Sequence, residues 1–277
     1  MMDAMNPGKE NIPLKINPEL GRSIFGTNAQ AYHQARPGYP ARVFEILQTT
    51  CGADVDVFEI GPGTGQATEP LLDYGCRVTA IEPDERLAAF LDVRLKKHAA
   101  RLTIDRHPFE DIELPAGSFE LGIAAMSLHW LSPEIALAKA FRLLRSGGKW
   151  AMWWTVFGDP DDMDDFQRQT QSLFKKIGAQ SFTPVAGWTP FALERDKRLA
   201  ELEKASFTET VYEKVRWSPV LSTRQVLELT ATFSPVARLP EIERVCFLDD
   251  IARIAEREFN GSVRRNFVTA IYTAHKP

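Results

Sequence analysis

The chain has little of what staples, chelates or spans. Its three cysteines, Cys51, Cys76 and Cys246, lie far apart in 277 residues with no C-x-x-C pair. That excludes a disulfide framework or zinc site of ordinary spacing and fits a reduced, cytoplasmic setting. The five histidines are equally dispersed, without H-x-x-x-H, so no metal is expected. No apolar stretch approaches the roughly 18 residues of a membrane span, and no membrane partner is expected. Basic runs are also missing. With 33 Lys and Arg against 37 Asp and Glu, net charge is -4 and the pI about 5.8, which disfavours a large nucleic-acid footprint. The stretch from Met1 to Pro18 is polar, is broken by Pro7, Pro13 and Pro18, and lacks a signal-peptide apolar core. Residues 1–20 are therefore expected to form a flexible tail.

What is present is a regular alternation of apolar strands and amphipathic helices. With 44% hydrophobic residues, the length suits one domain with an insertion, or one and a half domains. Helix is expected over 40–50, opened by Pro40, then a strand over 55–60 and a helix over 66–74. A strand over 77–82, a helix over 84–98 and a short strand over 101–105 follow. Phe119 to Ala125 is continuously apolar, as in a strand covered on both faces. A helix over 133–144, ended by Gly147-Gly148, leads to a strand over 149–156. This order predicts an α/β fold with a doubly wound parallel sheet and helices on both faces. Five aspartates between Asp159 and Asp165 read as the negative first turn of a helix. Pro184, Gly187, Trp188 and Pro190 then interrupt the pattern, so about 159–206 is expected as a helical insertion. Phe207 to Trp217 alternates as a half-exposed strand of antiparallel type. Helices over 222–232 and 239–258 precede a last strand, Arg264 to Ala274.

The most informative segment is Glu59-Ile60-Gly61-Pro62-Gly63-Thr64-Gly65-Gln66, a buried strand entering a glycine turn and then a helix. Some 20 residues on, a second strand ends on Glu82. Glycines allow close approach of a ligand to the backbone, and an acid at the next strand tip can accept from two ribose hydroxyls. Together they describe a nucleoside-bearing cofactor, the plainer reading being an ordinary strand–turn–helix junction with no ligand. The dinucleotide fingerprint needs a glycine at position 66, where this chain has Gln66, so a dehydrogenase is a distant alternative.

E-x-G-x-G-x-G resembles the first motif of class I S-adenosylmethionine-dependent methyltransferases. Blocks at Phe58–Gly65, Ala80–Asp84, Phe109–Trp130 and Leu143–Trp154 resemble that family in order. The third block, and Tyr32, Arg36, Pro37, Tyr39 and Pro40 in a Y-x-x-x-R-P-x-Y-P pattern, resemble its small-molecule, trans-aconitate methyltransferase-like branch. The resemblance implies a Rossmann-like seven-stranded sheet, parallel except for one antiparallel strand near the C-terminus. It implies a single domain over 21–277 with an N-terminal lid at 21–40. Gly61, Gly63, Thr64 and Gly65 would cradle the methionine and ribose of S-adenosylmethionine. Glu82, with Pro83 beside it, would hold the ribose hydroxyls. Phe109 and Glu110 would flank adenine, and Ala125 and Met126 the methionine tail. Tyr32 and Arg36 would belong to the lid, with Arg36 pairing the cofactor's carboxylate. Many relatives carry an Asp just before the Phe109 position; Pro108 stands there and cannot accept from the adenine amino group.

His129, after the fourth strand, is the histidine nearest the expected active edge. It is the candidate catalytic base, against the plainer reading of a histidine packed at a strand–helix junction. Trp130 and Trp154 are candidate walls for the acceptor, and Arg36, Arg216 and Arg264 candidate carboxylate partners. The expected function is methyl transfer to a small organic molecule, a carboxylate being one candidate, by a monomer or homodimer. The alternatives are an RNA or protein methyltransferase, or a non-catalytic cofactor-binding protein of the same fold.

Overall fold

The computed structural model describes residues 29–179 and 189–277. The expected tail, residues 21–28 of the expected lid, and Pro184, Gly187 and Trp188 lie outside the described residues. Within them the alternating pattern forms strands β1 (Asp56–Ile60), β2 (Arg77–Ile81), β3 (Leu102–Asp105), β4 (Phe119–Ala125) and β5 (Leu144–Val156). They are followed by β6 (Thr208–Trp217), β7 (Val220–Ser222), β8 (Ser262–Arg264) and β9 (Phe267–His275). Seven make one sheet in the order β3-β2-β1-β4-β5-β9-β6. β9 is the antiparallel strand, wedged between β5 and β6. The fold is therefore the Rossmann-like α/β sheet expected. β7 and β8 form a small ribbon that the periodicity did not reveal.

Burial explains the register. Phe58, Ile60, Ala124, Trp150, Met152, Trp154 and Tyr272 face one side of the sheet. Val57, Val78, Ala80, Ile123, Ala151, Trp153 and Ile271 face the other. Both faces are covered, so a strand slipped by one residue would exchange two cores. The second face carries helices α2 (Ala41–Gln48), α3 (Thr68–Asp73) and α4 (Glu85–Arg94), which bury Val43, Leu47, Leu71, Leu72 and Leu91 in that core, while the preceding helix α1 (Ala29–Ala35) packs against α4. The Asp84 side chain caps α4 by accepting from the Arg86 and Leu87 backbone N–H groups. The first face carries α5 (Pro133–Leu143), whose Ala136, Leu137 and Ala140 are buried.

The expected end of α5 at Gly147-Gly148 is corrected. The chain passes from Leu143 into β5 at Leu144, and the glycine pair lies inside the strand. Phe119 pairs with Leu144 but Leu121 with Lys149, so the extra residues bulge out, with Gly147 at φ +73°.

The segment expected as one helical insertion divides between two cores. α6 (Asp165–Lys176) joins α8 (Thr223–Ala231), α9 (Ser234–Ala237) and α10 (Glu241–Phe259) around Phe166, Phe174, Phe233, Phe247 and Ile251. α7 (Arg195–Lys204) instead packs Leu202 into the main sheet's first face. The aspartate run does more than begin a helix. Asp164 caps α6 through Gln167 N–H and pairs with Arg265, while Asp159 and Asp161 both bind Arg216.

Cys51 and Cys76, separated in sequence, are neighbours here. The hydrogen bond between their thiols pushes the Cys51 pKa up and lowers that of Cys76 to about 7.

Candidate active site

The site lies along the carboxyl edge of the sheet, where β2, β1, β4 and β5 end side by side. Their tips are tied together: Gly61 N–H donates to Ile81 O at 2.9 Å, and Met126 N–H to Trp153 O at 2.8 Å. At about 4.8 Å between strands, this edge runs about 14 Å from the β2 tip to the β5 tip. A cavity of about 260 Å³ follows it. Tyr32, Arg36, Gly61, Gly63, Thr64, Glu82, Pro83, Phe109, Glu110, Ala125, Met126 and His129 all line it. The chain thus brings together His129 and eleven of the twelve residues expected to hold the cofactor.

Gly65 is the exception and needs a different explanation. A Cβ there would sit 2.5 Å from Leu91 Cδ1, so this glycine lets α4 close against the turn. Gly61 is similarly tight, 2.7 Å from Ser127 Cβ. Gly63 differs from both: at φ +57° a Cβ would meet nothing within 4 Å. Gly63 lines the cavity, so that open space is available to a ligand.

Glu82 is buried at the β2 tip. Its carboxylate accepts from Gly63 N–H at 2.9 Å and Asp84 N–H at 3.0 Å, fixing both the acid and the turn. Glu59, below the turn, is fully buried. It accepts from Thr68 Oγ1 at 2.7 Å, while Oε1 has no hydrogen-bond partner. Burial, opposed by the Thr68 bond and reinforced by Glu82, pushes its pKa up to about 7.

α1 and the segment after it cover the turn. Gln66 Nε2 donates to Arg36 O at 2.8 Å, so the residue that breaks the dinucleotide fingerprint clamps the cover. Arg94 donates to His33 Nε2, leaving His33 Nδ1–H to donate to Thr64 Oγ1 at 3.2 Å. The guanidinium of Arg36 lies over the Phe157 ring at 4.8 Å and the Tyr32 ring at 5.3 Å, and donates to Thr232 O. Its Nε is buried without a partner, and no carboxylate pairs with it among the described residues. Of the three cations considered, Arg36 alone lines the cavity; Arg216 is engaged by the aspartate run and Arg264 is exposed on β8.

At the β4 end, Met126 turns the chain with a φ of +58°, a strained conformation for a side chain of its size. Its Sδ accepts from Thr155 N–H, and Ser127 Oγ bonds Ile60 O, so both neighbouring strands hold the turn. His129 follows. Its Nδ1 accepts from Trp154 Nε1–H at 3.0 Å. The ring is exposed, and it lines the cavity. Burial, with Arg36 adding, pushes its pKa down to about 4. A base needs a free lone pair, and this ring has committed its own. Trp130 lines the cavity, while Trp154 stands behind His129 rather than in the wall. Sequence reasoning missed Thr155, Phe157 and Ser234, which also line it, because the Leu143–Trp154 block stops short of the first two and α9 carries no motif. Glu69, Asp73 and His98 meet away from this cavity, where Arg94 and Lys97 already pair with Glu69.

A parallel sheet with a glycine turn and an acid on adjacent strand tips is the arrangement of a protein that binds a nucleoside-bearing cofactor. A methyltransferase-domain profile matches residues 58–152. A methyltransferase-named protein of Dictyostelium discoideum is 31% identical over 219 residues, covering 77% of each chain. An uncharacterized methyltransferase of Mycobacterium tuberculosis is 26% identical over 231 residues, 83% of this chain and 84% of that one. Among solved structures, a protein of Anaeromyxobacter dehalogenans named as a type II methyltransferase superposes with a TM-score of 0.61 at 21% identity, over 87% of this chain and 98% of that one. The Haemonchus contortus phosphoethanolamine N-methyltransferase 2 complex with S-adenosylhomocysteine gives 0.57 at 16% identity, over 93% and 60%. The chain belongs to the class I S-adenosylmethionine-dependent methyltransferases.

Proposed function

We propose that this protein binds S-adenosylmethionine along the β2–β5 edge and methylates a small organic carboxylate. The observation that carries the reading is the cavity itself: an acid at its β2 end, and at its β5 end an unpaired cation with no available base. When bound, S-adenosylmethionine supplies a sulfonium-activated methyl, so in-line displacement asks the protein mainly for position. Glu82 would accept from the ribose hydroxyls, and the open space at Gly63 admits ligand against the backbone. Phe109, stacked with Phe58 at 6.2 Å, offers an apolar wall to the adenine, with Glu110 at its rim. Arg36 gives a counter-charge to the cofactor's carboxylate, and Ala125 and Met126 border the methionine tail.

A carboxylate acceptor suits the β5 end because it arrives deprotonated and needs no base. The cover formed by α1 and the segment after it limits the acceptor's size, which favours a small molecule over RNA or protein. The trans-aconitate-like pattern at Tyr32–Pro40 points the same way. The test is incubation of the protein and methyl-labelled S-adenosylmethionine with small mono-, di- and tricarboxylates. Label in base-labile esters is the expected result. Label confined to amines or RNA would contradict it.

A further inference from the structure

Trp154 Nε1–H donates to His129 Nδ1 at 3.0 Å. An indole N–H only donates, so Nδ1 is the acceptor and a neutral imidazole must carry its proton on Nε2. The lowered pKa keeps the ring neutral at pH 7. Position is fixed as firmly as tautomer. The His129 ring sits 4.6 Å from that of Trp130 and 6.1 Å from that of Phe191. Trp154 is buried, and its ring meets Phe191 and Tyr272 edge to face. Tyr272 Oη–H in turn donates to Ala192 O at 2.7 Å, anchoring the segment that bears Phe191. Reversing the tautomer would leave the buried Trp154 N–H opposed to a second N–H. The Nε2–H has no acceptor among the described residues, and the ring opens on the cavity.

We propose that His129 is a specificity-determining hydrogen-bond donor, locked by Trp154, whose Nε2–H binds one oxygen of the acceptor's carboxylate. This rests on the carboxylate reading above. The oxygen that gains the methyl carries no proton, so none has to leave and His129 has none to accept. The same N–H disfavours an ammonium, which has only donors to offer it, and gives no help to an alcohol. His129 thereby selects for acceptors that present a ready anionic oxygen. Trp154 is a positioning residue that acts through it.

The experiment uses the full chain, labelled with ¹⁵N-histidine and saturated with S-adenosylhomocysteine. Long-range ¹H–¹⁵N spectra at pH 7 assign the ring proton, and succinate, trans-aconitate and benzoate are then titrated in. The expected result is an Nε2-protonated, neutral His129 in wild type and a mixed tautomer in Trp154→Phe. The best-binding carboxylate should lose about tenfold in affinity in His129→Ala and recover much of it in His129→Gln, which keeps an N–H. S-adenosylhomocysteine affinity should not change in any variant. A proton on Nδ1, or a charged ring, overturns the lock whatever the acceptor is. The expected tautomer with carboxylate binding unmoved in His129→Ala overturns the donor role. The expected tautomer with no carboxylate binding, while S-adenosylhomocysteine binds, overturns the acceptor class and leaves the cofactor reading intact.

Discussion

Gln66 and Arg36 are joined by one hydrogen bond, Gln66 Nε2 to Arg36 O at 2.8 Å, which ties the glycine turn to the segment covering it. Gln66→Leu keeps the volume and removes the bond. It should weaken S-adenosylmethionine binding about three- to tenfold, the worth of one neutral hydrogen bond. Global stability should change little. Calorimetry and a urea melt on the same preparation separate the two effects.

Glu82 and Gly63 hold opposite sides of one contact. Glu82→Ala removes the charged acceptor of two backbone N–H groups and of the proposed ribose bonds. Cofactor affinity should fall about 10- to 100-fold. Gly63→Val places a β-branched side chain at φ +57° and into the cavity, so it should lose binding at least as completely. Unchanged binding in both variants would remove the site assignment.

Arg36→Met retains much of the packing against Phe157 and Tyr32 and deletes the cavity's unpaired cation. Cofactor affinity should drop about tenfold, and more steeply for ligands that keep the α-carboxylate than for one lacking it. Titration with S-adenosylhomocysteine and 5′-methylthioadenosine checks this. An equal loss for both would place Arg36 elsewhere in the reaction.

Glu59 makes stability fall as pH rises. Its folded pKa, about 7, lies above the ordinary 4.5, so its contribution is full below about pH 4.5 and lost as pH passes about 7. Glu59→Gln removes that dependence. Relative to wild type, the variant should gain up to about 3 kcal/mol between pH 5 and pH 8. Urea melts across that range of the cofactor-free protein should diverge; parallel curves would show that Glu59 ionises freely. His129 works in the other direction. With its folded pKa lowered to about 4, it favours the fold above about 6.5 and loses that contribution as pH falls toward 4.

The sheet was legible because its central strands are buried on both faces. Phe119–Ala125 reads as a strand with no ambiguity of period, and its observed bounds are the expected ones. The turn at Gly61–Gly65 and the acid at Glu82 were legible because the contact is local, one strand and one crossover apart. What stayed hidden depends on contacts between distant segments. Gly65 looks like a ligand-cradling glycine until Leu91 is seen above it. The β5 bulge looks like a helix stop, since Gly147-Gly148 signals either. Trp154 and His129 sit at the ends of neighbouring strands, 25 residues apart, and no spacing rule pairs an indole with an imidazole. The cap formed by α6 with α8–α10 joins pieces on either side of α7 and β6, so the sequence order of 159–206 suggests one insertion where two cores are served.

The central claim is that the β2–β5 edge holds S-adenosylmethionine. Isothermal titration of the purified protein with S-adenosylmethionine, S-adenosylhomocysteine and NAD tests it most directly. Micromolar binding of the first two, with none of NAD and with both lost in Glu82→Ala, is the predicted result. Binding of NAD alone, or of none of the three, would contradict it.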